Sequence, residues 1–315
     1  MPKKTRILGG SKYKMNDAHL HVVDFMQNSR DFTDILREMN KANIQKAAIF
    51  GLPVKKTYSE FEYNKPAYYL DNNAKCYYFS ETDDIIVNKY RKLTQQQKKR
   101  LVPLLCGFNP TDRSSVDIIR AKLKRYRGVF KGVGEVMLRH DDLTNMTLGQ
   151  TPRGNTEAMM DVAQLCREEN IPLLIHHNLT SVWLDTHPEY LRELHDLLQR
   201  NPNTTVVWAH CGASRRVNIP NYDTIIRNML TYYHNLYVDY SWIFYDEILC
   251  SNGEPREAWI KLTEDFSDRI MLGSDLFLNY ELLGHVMKRY DNFLDRLTPK
   301  TREKVCTGNF NKIFG

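Results

Sequence analysis

The chain has 315 residues, 42% hydrophobic and 26% charged, with a formal net charge of +6; it is long enough to bury a large core, and these fractions are ordinary for a soluble globular protein. Basic residues are interleaved with acids, in pairs such as Lys98-Lys99 and Arg215-Arg216 and never in a long tract, so nucleic acid is not an expected partner. No apolar run reaches the length of a membrane span, and the basic opening Met1-Pro2-Lys3-Lys4-Thr5-Arg6 lacks the apolar centre of a signal peptide. The six cysteines, Cys76, Cys106, Cys166, Cys211, Cys250 and Cys306, are dispersed with no Cys-x-x-Cys pair. That argues against a zinc ribbon or a disulfide framework and for small buried thiols in a reducing compartment, so a cytoplasmic location is the default expectation.

Strand-like apolar runs alternate with amphipathic helical stretches along the chain. The first run, Tyr13 to His21, closes on Asp17-Ala18-His19-Leu20-His21. Residues two apart on a strand share a face, so His19 and His21 would project side by side and could give one metal ion two ligands. A helix is predicted over Arg30 to Lys41, with Ile35, Leu36 and Met39 on one face, and a strand over Ile44 to Pro53. The widest gap follows, about 54–100. It carries Tyr58, Phe61, Tyr63, Tyr68, Tyr69, Tyr77, Tyr78 and Phe79. Part of it is read as the second helix. The remainder is an elaborated loop whose aromatics are expected to pack on the outside of the fold, the alternative being a lid over a pocket.

Beyond the gap a strand is predicted over Leu101 to Phe108 and a helix over Ser115 to Tyr126. The strand Val129 to Leu138 holds Gly132-Val133-Gly134-Glu135. The helix Asn155 to Glu169 precedes the strand Ile171 to His177, and the helix Pro188 to Arg200 follows it. Strands at Thr204 to Cys211, Leu236 to Ser241 and Arg269 to Asp275 complete the series, with a helix over Tyr222 to Tyr233 between the first two. Eight alternations imply a parallel sheet closed into a (β/α)8 barrel, expected as one domain over residues 1–315 with a closing helix at about 300–315. A doubly wound open sheet is the rival. The chain shows neither a Gly-x-Gly-x-x-Gly turn after the first strand nor a Walker loop, and Gly132-Val133-Gly134 lies inside a strand.

Polar residues fall at the C-terminal ends of these strands, where such barrels build their sites. They are His19 and His21 on the first, Glu135 on the fourth, His176 on the fifth, His210 on the sixth and Asp275 on the eighth. Each alone has an ordinary explanation: an ion pair, a satisfied core histidine, a helix cap. Their recurrence at successive strand ends does not. Imidazole and carboxylate donors without cysteine suit zinc first, and also manganese, iron or nickel.

The segments Asp17-Ala18-His19-Leu20-His21, Gly134-Glu135, Pro172-Leu173-Leu174-Ile175-His176, Ala209-His210-Cys211-Gly212 and Leu272-Gly273-Ser274-Asp275 resemble the amidohydrolase superfamily, and within it the group called amidohydrolase family 2. Thr307-Gly308-Asn309-Phe310-Asn311-Lys312-Ile313-Phe314 is similar to that group's closing helix, so the resemblance runs from Asp17 to Phe314. It implies a metal held by His19, His21 and Asp275, with His176 and His210 on a second metal or assisting around a single one. Glu135 stands where a carboxylated lysine often bridges, which leaves one ion or two open and favours two. The Pro-x-x-x-His spacing selects His176 over His177, which alternation would turn toward the helices.

The implied chemistry is metal-activated water, whose pKa a divalent ion can lower to about 7. Asp275 would accept the proton, and His210 would help polarise the carbonyl. Arg139, His140, Arg215 and Arg216 are candidate contacts to an anionic substrate, surface salt bridging being the ordinary fate of each. The expected activity is hydrolysis of an amide, lactone or ester of a small molecule. A decarboxylase of the same family is the runner-up and a non-catalytic binding barrel the third reading. The expected partner is a small-molecule substrate, with no nucleic acid and no membrane, and a homodimer is compatible.

Overall fold

The computed structural model describes residues 9–315; the basic opening Met1 to Arg6 lies outside the described residues. Eight parallel strands carry the architecture: β1 (Met15–Val23), β2 (Ile44–Gly51), β3 (Leu101–Pro103), β4 (Val133–Leu138), β5 (Leu173–His177), β6 (Val206–Trp208), β7 (Leu236–Tyr240) and β8 (Ile270–Leu272). They form two arcs. In one, β1 lies between β2 and the short strand Leu276–Phe277, and β2 pairs with β3. In the other the order is β8-β7-β6-β5-β4. The Leu105 N–H donates to Gly132 O at 2.9 Å and the Gly134 N–H to Leu105 O at 2.8 Å, joining β3 to β4. The Asp275 N–H donates to His19 O at 2.8 Å and closes the other seam. The sheet is thus a (β/α)8 barrel.

All eight expected strands are present, most of them shorter than their apolar runs. β3 stops at Pro103, which has no N–H to offer the ladder; the Leu104 N–H still donates to Ile49 O at 2.9 Å, and Leu105 bridges to Val133. β6 stops at Trp208 because His210 and Cys211 take left-handed backbone angles, φ 55° and 51°. β1 runs two residues past His21.

The helices that follow the eight strands are α1 (Phe32–Ala42), α2 (Thr82–Arg91), α3 (Ser115–Arg125), α4 (Glu157–Glu168), α5 (Leu191–Arg200), α6 (Tyr222–Tyr232), α7 (Glu257–Asp265) and α8 (Leu283–Lys288). Their ends follow local chemistry. Asn43 ends α1 in the left-handed region at φ 63°, its N–H meeting the last carbonyls. The Thr156 side chain accepts from the Met159 N–H and starts α4. Ile35, Leu165, Leu197 and Leu262 pack the helices against the outside of the barrel. Inside it, Ala18, Ala48, Leu104 and Val207 meet Phe310 and Phe314 of the closing segment Asn309–Phe314. The barrel is therefore plugged with hydrocarbon at its base, and the polar strand ends occupy its mouth. The long gap after β2 holds an antiparallel hairpin, Val54–Lys56 with Cys76–Tyr78, before α2. Among the described residues no helix is long and apolar enough to cross a membrane.

Candidate metal centre

The first strand delivers its two histidines as period two requires, with ring centroids 5.2 Å apart and both rings edge-on to Phe50 at 4.8 Å. Asp17, on the same strand, ties the seam together. It accepts from the His19 N–H at 3.0 Å, from the Ser274 N–H at 2.9 Å and from the Ser274 hydroxyl at 2.6 Å. Burial pushes the Asp17 carboxyl up to about 6, with the bonds from Ser274 and His19 opposing it. The clip sets Asp275 opposite the histidine pair. On β4, Gly134 has φ +142°, and a Cβ there would stand 2.4 Å from Leu174 O. Only glycine fits that approach, and the next residue, Glu135, enters the barrel.

The donor atoms converge. His19 Nε2 lies 3.4 Å from Glu135 Oε2 and 3.4 Å from Asp275 Oδ1. His21 Nε2 lies 3.4 Å and 3.0 Å from the same two oxygens. The other oxygen of Glu135, Oε1, faces His176 Nδ1 at 3.3 Å and His210 Nε2 at 3.5 Å. Two sets have donor atoms mutually within 4.8 Å: His19, His21 and Asp275, and His19, Glu135 and His210. His176 stands outside both, its Nε2 bonded to Asn178 Oδ1 at 2.8 Å.

These residues fit a divalent cation. His19 Nε2 is buried with no hydrogen-bond partner although it faces two carboxylates. Burial works against charging His19, yet Glu135 and Asp239 raise its pKa well above the ordinary histidine value. Burial likewise works against ionising Glu135, and the neighbouring histidines still hold it well below the usual carboxylate range. The centre calls for positive charge at the point the imidazoles surround.

Asp239, at the end of β7, was not singled out from sequence. It is fully buried and accepts from His19 Nδ1 at 3.1 Å, from the His210 N–H at 3.0 Å and from the Ser241 hydroxyl. Ser241 Oγ in turn meets His210 Nδ1 at 2.6 Å. One carboxylate thus orients two imidazoles and directs the Nε2 of each to the centre. Its signal was an ionisable residue inside an apolar strand, in phase with Tyr237 and Ser241. Asp239→Asn is expected to weaken metal affinity by about 10- to 100-fold, measured by competition with a chelator; affinity equal to wild type would remove Asp239 from this role. His210, Trp242 and Asp275 all hold φ between 54° and 60°, a conformation costing on the order of 1–3 kcal/mol for each such residue. The packed barrel holds three consecutive strand ends in that geometry.

Above the centre lies a cavity of about 380 Å³. His21, Glu135, His176, His210 and Asp275 form its polar floor, and Phe25, Tyr68, Tyr69, Trp242 and Phe277 its walls. His140 and Arg215 line it. His140 stacks on His176 at 4.4 Å, and its Nδ1 accepts from the Leu143 N–H at 3.4 Å, which leaves Nε2 for the cavity. Of the eight aromatics named in the gap, Tyr68 and Tyr69 reach the cavity, whereas Phe61 and Tyr63 are open to solvent. Arg216 pairs with Asp142 at 2.8 Å.

Arg139 does not line this cavity and takes the salt-bridged fate expected of each such residue. Its backbone turns at φ 47° and carries the guanidinium away from the cavity onto Glu193, with Nε to Oε2 at 2.9 Å and the Tyr190 ring 3.9 Å beneath. His177 turns the same way, its Nε2 3.6 Å from Glu193. Burial favours protonating Glu193, but the bonds from Arg139 and His177 hold its pKa at about 2, against 4.5 in the unfolded chain. The folded-state pKa is depressed, so this stabilisation is complete above pH 4.5 and is lost as pH falls toward 2. It amounts to about 3 kcal/mol. Glu193→Gln is expected to lower stability at pH 7 and to abolish this step on the acid limb, as read by urea unfolding at fixed pH values; an unchanged acid limb would contradict it.

The amidohydrolase family model matches residues 17–315. No curated protein matches the chain. Among solved structures, the chain is similar to a probable 2-pyrone-4,6-dicarboxylic acid hydrolase from Acinetobacter baumannii with citric acid bound, at 14% identity over 96% of this chain and 100% of that one, TM-score 0.55. It is similar to an amidohydrolase from Burkholderia multivorans with bound zinc, at 10% identity over 96% and 99%, TM-score 0.55. It is also similar to 2,6-dihydroxybenzoate decarboxylase from Rhizobium, at 13% identity over 98% and 99%, TM-score 0.53. At these identities the likeness shows the fold.

Proposed function

The chain belongs to the amidohydrolase family, and from that premise we propose that it is a metal-dependent hydrolase cleaving an amide, lactone or ester bond of a small anionic molecule. The observation that supports this reading is the convergence of His19, His21, Glu135 and Asp275 on one point of the cavity floor, with Asp275 alone among them substantially open to the cavity, its side chain 16% exposed against 0–5% for the others. His19, His21 and Asp275 would hold the ion with Glu135 beside them, zinc first by donor type. When bound, such an ion supplies Lewis acidity that lowers the pKa of a water molecule to about 7 and polarises a carbonyl.

The chain's own residues do the rest. Asp275 turns Oδ1 toward His19 and His21, and its Oδ2 accepts no hydrogen bond among the described residues, so that oxygen can take the proton of the attacking water and return it to the leaving group. His210, held at Nδ1 by Ser241, presents Nε2 to the floor, beside the carbonyl oxygen that gains charge. His140 and Arg215 bind the anionic group, and the aromatic walls exclude water. The test is to measure metal content without added metal and to offer small carboxylated lactones, esters and amides. Release of acid supports the hydrolase. Release of carbon dioxide from a carboxylate replaces it with the decarboxylase, and absence of both metal and turnover leaves a binding barrel.

A further inference from the structure

Lys56 is the most deeply buried amine among the described residues, 1% exposed. It ends the first strand of the hairpin, and among the described residues it makes no ion pair. A buried ammonium is costly unless its protons are satisfied. Three backbone carbonyls do this: Tyr69 O at 2.8 Å, Asn72 O at 3.0 Å and Ala74 O. Three donors meet three acceptors, so the amine has no proton left to offer a ligand, and its effect is to wrap residues 69–74 around one point. Its own N–H donates to Phe25 O at 2.8 Å, fastening the hairpin to the loop after β1.

The wrapped segment begins where the chain enters the cavity. Tyr69 Oη accepts from Arg215 Nη1 at 2.7 Å, and Tyr68 Oη accepts from Arg215 Nη2. Trp242 flanks the same guanidinium, its ring centroid 5.7 Å away. Arg215 and Arg216 share one carboxylate, that of Asp142, at 3.5 Å and 2.8 Å; two cations on one anion leave one positive charge at the mouth. A guanidinium carries five N–H groups, so Arg215 keeps donors for a ligand after both hydroxyls are served.

We propose that Lys56 is a positioning residue that, through the Tyr68–Tyr69 turn, holds Arg215 as the anion anchor of the cavity. The proposal rests on reading the cavity as the substrate site and is independent of which bond is cleaved there. The probes are benzoate and benzamide, equal in size and differing in charge, titrated by calorimetry into the metal-loaded full chain. Wild type is expected to prefer benzoate. Arg215→Met should weaken benzoate by about tenfold and move benzamide by less than about twofold. Lys56→Met should erode the same preference, and Lys56→Met combined with Arg215→Met should bind benzoate no more weakly than Arg215→Met alone, since a residue that acts through Arg215 has nothing to position once Arg215 is gone.

Should Lys56→Met fail to fold, Tyr69→Phe tests the same link, because it keeps the ring and removes the hydroxyl that Arg215 meets. The proposal is overturned if wild type does not distinguish the probes, if the folded Lys56→Met or Tyr69→Phe variant leaves benzoate binding unchanged, if both probes weaken equally, or if the two substitutions add. Metal content is measured throughout and should not change. Failure to find a hydrolysed substrate would count against the hydrolase and leave these binding results standing.

Discussion

Asp275→Asn is expected to keep its metal and lose about a hundred- to ten-thousand-fold in turnover. Asparagine offers an oxygen where Asp275 Oδ1 faces His19 and His21, but its amide cannot take and return a proton near neutral pH. The substitution is gentle on the backbone, since Asn tolerates the left-handed conformation at φ 54° as Asp does. The measurement is turnover on an identified substrate, with elemental analysis of the same sample. A metal-loaded variant with near wild-type turnover would overturn the proton shuttle and would leave a carbon dioxide-releasing reaction standing.

The double variant His19→Ala, His21→Ala is expected to bind no metal at the centre while the barrel stays folded. It removes both nitrogens that face Glu135 and Asp275, and with His19 it takes a member from each of the two donor sets at the centre. It also takes the His19 partner from the buried carboxylates of Glu135 and Asp239, a loss of about 3–5 kcal/mol where a buried pair is broken. His21→Ala alone is the control, because His21 does not touch Asp239 and the His19–Asp239 bond survives. Circular dichroism checks the fold and elemental analysis the ion; full occupancy in a folded double variant would remove these histidines from the metal site.

The site was legible where its residues obey strand periodicity. His19 and His21 share a face because side chains two apart must, and Glu135 enters the barrel because the residue before it has no side chain to block its approach to Leu174. What escaped were relations that depend on backbone turns and distant contacts. The run from Thr204 to Cys211 reads as one strand, yet His210 reaches the floor through left-handed angles that no periodicity announces. Arg139 follows Glu135 closely enough to look like a substrate contact, and its own turn sends it to Glu193. Asp239 meets His19 across 220 positions of chain, a proximity visible only once the barrel is closed. The aromatic gap divides within itself: one tyrosine pair is drawn inward by Arg215, and its neighbours stay in solvent.

The seam between first and last strands has a consequence for how the molecule comes together. Asp17 and Ser274 are 257 residues apart, and β1 gains only two paired positions from the final strand segment, Leu20 with Leu276 and His21 with Phe277. A growing chain on the ribosome therefore has no complete set of candidate donors until Asp275 has emerged. Because these donors stand on both sides of this sparse seam, a bound ion would act as a clasp, its binding free energy adding to that of the closed barrel. Depleting the ion should loosen the molecule here before elsewhere, with amide hydrogen exchange rising first at His21, Leu276 and Phe277.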